Sequence, residues 1–169
     1  MGEEPTSIRD AVDRAVDAFD TPPESESSEP TVEATDTKTA VVRLRTACRL
    51  LTACRSLREP GGYHASGIEL SFAAIEHSLD AQAHSRGETI RKPGSGRIAA
   101  FGRAGDLGLL SETTAKQLKQ LHRDNRTLAR TRDTGAAAQH ATAMFDLAEA
   151  VHSHVVDTAA LSHECTCEE

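Results

Sequence analysis

The sequence has no tryptophan, one tyrosine (Tyr63) and four phenylalanines, so a core must be filled mainly by aliphatic side chains and alanine. Lysine is as scarce: Lys38, Lys92, Lys116 and Lys119 are all there is, against fifteen arginines. No run of about eighteen apolar residues occurs, which excludes a membrane-spanning helix. The amino terminus, MGEEPTSIRD, is acidic and has no apolar core, so it does not read as a secretory signal. A cytoplasmic location is therefore expected, with the four cysteines present as thiols rather than disulfides. No stretch alternates apolar and polar residues with period two, so no strand is expected. There is no internal repeat, no Ser-His-Asp order and no nucleophile elbow. The loop KPGSGR (92–97) lacks the strand and the Gly-Lys-Ser/Thr needed to cradle a phosphate.

What remains is an acidic, alanine- and threonine-rich chain of 169 residues with net charge −7. Screening by salt relieves the self-repulsion of such a chain and strengthens the burial of small apolar groups. The composition thus points to a salt-rich cell interior of the haloarchaeal kind. Net acidity argues against generic attraction to nucleic acid, which needs local positive charge.

The length suits one domain. Residues 1–19 contain an amphipathic helix, with Ile8, Ala11, Val12, Ala15, Val16 and Phe19 at spacings of three and four, and Asp10, Asp13 and Asp17 opposite. Residues 20–38 are rich in Pro, Ser and Glu and are expected to be a disordered linker. A helical-bundle domain follows over 39–162, and a flexible His/Cys tail over 163–169. Within the bundle, helices are expected at 39–59, 63–85, 97–104, 112–131 and 135–160, the first stopped by Pro60-Gly61-Gly62. Gly105 is placed to end the third and Ser111 to cap the fourth. Phe72, Ile75, Leu121, Met144, Phe145 and Val151 are the expected core. The fold class is all-α, an up-and-down bundle of four main helices plus the short N-terminal helix.

The stretch HASGIELSFAAIEHSLDAQAHSRG (64–87), with Ala73, Glu76, Leu79 and Ala81 approximating A-x-x-E-x-x-L-x-A, resembles the second helix of the HEPN superfamily. FGRAGDLGLLSETTAKQLKQLHRDNRTLARTRD (101–133) resembles that fold's Arg-Asn-containing helix end and the turn before its final helix. The resemblance spans roughly 40–160. It implies a homodimer, RNA or toxin–antitoxin business, and a nucleotidyltransferase-type protein partner. Ribonucleases of the superfamily place a His after an Arg with four to six residues between the two. Here those positions after Arg123 hold Leu128, Ala129 and Arg130, and after Arg126 they hold Thr131, Arg132 and Asp133. The general base is absent. The resemblance then implies a non-catalytic binding or regulatory module, with Arg123, Asn125, Arg126 and Arg130 as a candidate anion- or RNA-binding cluster. Arginine forks suit phosphate and carboxylate alike. A plainer reading has them cap a helix end and pair with surface acids. A ribonuclease with a rearranged Arg-centred site and a structural adaptor are the alternatives.

Other groupings read as structural. Arg43, Arg45, Arg49, Arg55 and Arg58 have no interleaved aromatics to stack bases, and form a solvated face. His77, Asp80 and His84 share one side of a helix but need a further metal ligand from His122, His140 or His152. In the tail, His163, Cys165 and Cys167 hold a Cys-x-Cys pair, closer than the usual zinc spacing, while Cys48 and Cys54 read as small core residues. The expectation is no metal and no cofactor.

Overall fold

The computed structural model describes residues 6–20, 32–59, 61–128 and 134–167. Among them are six α-helices and one 3₁₀ turn, with no strand. Helix α1 (Thr6–Asp20) belongs to a unit of its own, and Val12 and Val16 on it are exposed. The second unit holds α2 (Val32–Arg58), α3 (His64–His84), α4 (Arg97–Asp106), α5 (Glu112–Leu128), α6 (Thr134–Thr158) and the 3₁₀ turn η1 (Ser162–Glu164). Helices α2, α3, α5 and α6 are the four main helices of the bundle. Helix α2 starts at Val32, so the expected linker over 20–38 is helical in its last seven residues. Asp36, close to its start, suits the positive end of a helix dipole, a signal that the local Pro and Ser content obscured.

Helix α3 is the hub. It packs along α2 and α6, and α4 joins it to α5. Ile68, Phe72, Ile75 and Leu79 form the expected stripe, but Ser71, Ser78, Asp80 and Gln82 are buried as well. A helix covered on several sides must satisfy such groups internally. The Ser71 hydroxyl donates to Gly67 O at 2.8 Å, and Gln82 Nε2 donates to Thr158 Oγ1 at 3.0 Å. Asp80 accepts from Thr89 Oγ1 at 2.9 Å and from Ile90 N–H at 3.1 Å, and faces Arg43 Nε at 3.1 Å. Phe72 is fully buried, with Phe101 of α4 at 6.3 Å and the His122 ring of α5 edge-on at 5.2 Å.

Two expectations about α4 and α5 are corrected. Gly105 does not end α4, which runs to Asp106. The left-handed position is Gly108 (φ +68°), where Leu109 N–H donates to Ala104 O and Gly108 N–H to Gly105 O. Gly105 instead lets the helices meet, since a Cβ there would sit 2.8 Å from the Ala115 Cβ. Ser111 does cap α5, its Oγ accepting from Thr114 N–H at 3.1 Å. Ala115 and Leu118 face inward, but Leu121 is exposed. It lies one turn past the stretch of α5 that α4 covers. The remaining expected core residues, Ile75, Met144, Phe145 and Val151, are buried.

Candidate metal centre

The chain's chemistry converges where α2, α6 and the C-terminal segment meet. Cys48 sits on the inward stripe of α2, between Leu44 and Leu51, and is 1 % exposed. His152 lies among Ala148, Val151 and Val155 on the inward face of α6 and is also buried. After α6 the chain turns through Ala160 (φ +54°) and η1, then brings Cys165 and Cys167 back against both helices, half-buried. The expected flexible tail is thus packed against the bundle through Cys167. Arg45 Nη2 fastens η1 by bonding Glu164 Oε2 at 2.7 Å, and Arg55 Nη1 donates to Cys167 O at 3.4 Å. His163 contributes no described side chain.

Four potential ligand atoms, one each from Cys48, His152, Cys165 and Cys167, lie within 4.8 Å of one another. The Cys48 and Cys165 sulfurs are 3.7 Å apart. His152 Nε2 is 3.5 Å from Cys48 Sγ, 3.4 Å from Cys165 Sγ and 3.3 Å from Cys167 Sγ. Tetrahedral zinc, with Zn–S of about 2.3 Å and Zn–N of about 2.0–2.1 Å, requires S···S edges of about 3.8 Å and S···N edges of about 3.5 Å. Four of the six edges thus have the lengths of a tetrahedron around one ion, and the other two are no longer than 4.8 Å.

The surroundings fit the same ion. His152 Nδ1 lies 3.0 Å from the buried Ser78 Oγ. With Nδ1–H donated to that hydroxyl, the Nε2 lone pair is aimed at the sulfurs, the tautomer a metal-bound imidazole needs. In the ion-free protein the imidazole donates through Nε2–H instead: burial raises the Cys48 pKa, but hydrogen bonds from His152, the Thr166 backbone and Cys167 outweigh it and bring the thiol down to about 6. Cys167 is pushed far up, first by burial and then by the neighbouring Cys48 and Cys165 sulfurs. A thiolate at Cys48 is therefore favoured and one at Cys167 opposed. A divalent cation removes that conflict.

The other candidates resolve differently. Asp80 is occupied by Arg43, Thr89 and Ile90, and His84 lies between Asp80 (3.6 Å) and Asp36 (3.7 Å). His77 is held below the usual imidazole range by burial and then by Arg91 and Arg43. His152 goes to the cysteines and His122 to Phe72, while His140 is exposed on α6. On α5, the Asn125 amide donates to Glu69 Oε1 at 2.8 Å, while Arg123 and Arg126 are exposed and Arg130 lies outside the described residues. The α2 arginines meet acids and a ring: Arg55 bonds Glu149 at 2.6 Å, and Arg58 covers the Phe145 ring at 4.8 Å. Cys54 is a core thiol whose pKa burial raises, donating to Gly67 O at 3.6 Å.

Sequence reasoning recognised the tail's soft ligands but assigned Cys48 to the core and offered His152 only as a further ligand for the α3 histidines. One signal was available. His152 stands one turn after Ala148 and three residues before Val155, an imidazole inside an apolar stripe.

Among the described residues, no helix is long and apolar enough to cross a membrane. Neither the curated proteins nor the solved structures include a significant match to this sequence. A family model described as "Domain of unknown function (DUF8154)" matches residues 3–167, a span that takes in all four potential ligands, and the chain belongs to that family.

Proposed function

We propose that this protein is a non-catalytic helical binding module whose C-terminal segment is held in place by a structural zinc ion on Cys48, His152, Cys165 and Cys167. The observation that carries the reading is one S···S and three S···N separations that fit a tetrahedral shell, with all four ligand atoms within 4.8 Å of one another. Four protein ligands complete that shell and leave no position for water or substrate, which distinguishes structural from catalytic zinc. The module reading agrees with the HEPN-like resemblance of a bundle that lacks the superfamily's Arg–His pair. The α5 arginines are a weaker basis for function, because Asn125 is committed to Glu69 and Asp124 lies beside them in sequence.

Cobalt substitution tests the proposal. Added to the metal-free full chain, Co(II) should bind at one equivalent, with the strong visible d–d bands of a tetrahedral site and sulfur-to-cobalt charge transfer in the near ultraviolet. Zinc should displace it. Cys165→Ser should weaken the charge-transfer band, whereas Cys54→Ser should leave the spectrum unchanged. A pale octahedral spectrum would count against the site.

A further inference from the structure

The centre is shielded on one side only. Cys48 is sealed in the core, while Cys165 and Cys167 line an open cleft of about 460 Å³ together with Leu51, Arg55 and Val156. A small solute that enters the cleft meets the tail sulfurs first. Behind Cys165, at 3.7 Å, stands Cys48 Sγ. A disulfide needs about 2.05 Å between sulfurs, so approach by under 2 Å joins them once no ion holds them apart.

Resting on the zinc reading above, we propose that Cys165 is an oxidation site for hydroperoxides, with Cys48 as the resolving thiolate and zinc as the released product. The Cys165 thiolate attacks one peroxide oxygen. The O–O bond breaks, hydroxide (or alkoxide) leaves, and a sulfenic acid forms on Cys165. Cys48 thiolate then attacks that sulfur, the S–S bond forms and a second hydroxide leaves. Two electrons pass from the two sulfurs to the peroxide, and both hydroxides take up protons as water. Left with one thiolate and one imidazole, the ion loses half of its shell and dissociates. The guanidinium of Arg55, on the cleft wall, provides positive charge near the departing hydroxide. The disulfide spans the join the zinc had spanned, so the C-terminal segment stays attached to α2 in both states. Cys54, buried and donating to Gly67 O, is outside this chemistry.

The test treats the zinc-loaded full chain with one to five equivalents of hydrogen peroxide. Released zinc is followed with a chromogenic chelator, and non-reducing peptide mapping follows the thiols. The expected result is one zinc released per two thiols lost, a Cys48–Cys165 link in the peptide map, and recovery of the zinc-bound form with dithiothreitol and zinc. Cys54→Ser should behave as the parent. Zinc retained at five equivalents, or released only with irreversible sulfinic or sulfonic products, would overturn the proposal while leaving the metal site intact. A chain that never takes up zinc would overturn both.

Discussion

Two clusters of titratable side chains touch α3, and they differ in whether the protein completes them. Around Asp80, the carboxylate meets the Arg43 guanidinium, the Thr89 hydroxyl and the Ile90 amide. Its charge faces a guanidinium and its Oδ1 accepts two hydrogen bonds, and the result ties α2, α3 and the following loop together. Around His152, three sulfurs gather on one imidazole with no cationic side chain among the four. Burial and the neighbouring Cys48 and Cys165 sulfurs oppose ionising Cys167. The difference is that a buried group with a full set of protein partners is architecture, whereas one whose charges conflict calls for an ion from outside.

Breaking the second cluster should have the largest effect. Zinc free at about a thousandfold above its Kd stabilises the folded state by about 4 kcal/mol. Cys48→Ala, or a strong chelator, should remove that contribution and make the segment after Thr158 sensitive to protease. Equal melting temperatures with and without chelator would mean the ion stabilises nothing. Comparable in size but independent of metal is the core of α3. Phe72→Ala should cost about 3–5 kcal/mol by leaving a cavity between α3, α4 and α5. Asp80→Ala should cost about 3 kcal/mol or more, because Arg43 and the Ile90 amide lose their partner. Both variants should still bind one zinc, and loss of zinc in either would merge the two clusters into one cooperative unit.

Smaller effects sharpen the boundary of the metal site. Ser78→Ala removes the acceptor that orients His152 and should weaken zinc binding about 10- to 100-fold. An unchanged affinity in competition with a chelator would show that the imidazole is oriented by packing alone. Smallest is Arg45→Ala, which breaks a surface pair with Glu164 and should cost no more than about 1 kcal/mol. A larger loss would show that the tail depends on salt bridges rather than on the ion.

Much of the bundle was legible because helices announce themselves by apolar spacing, and α3 and α6 carry long regular stripes. Leu121 shows where that signal fails. Periodicity gives a face, but neighbours decide which part of the face is covered: on α5 Ala115 and Leu118 are buried while Leu121 is exposed. The early start of α2 was obscured by local composition. The metal centre was hidden for a geometric reason: Cys48 and His152 are 104 residues apart and each sits in an apolar stripe. The visible fragment, Cys165-Thr166-Cys167, is shorter than the spacing usual for zinc. Only the fold brings the remaining two ligands to it.

The most direct measurement is X-ray absorption at the zinc edge on the purified full chain, together with its metal content. The account predicts one zinc per chain with a first shell of three sulfurs at about 2.3 Å and one nitrogen at about 2.0–2.1 Å. A shell of nitrogen and oxygen only, or a chain that holds no zinc after incubation with excess metal, would contradict it.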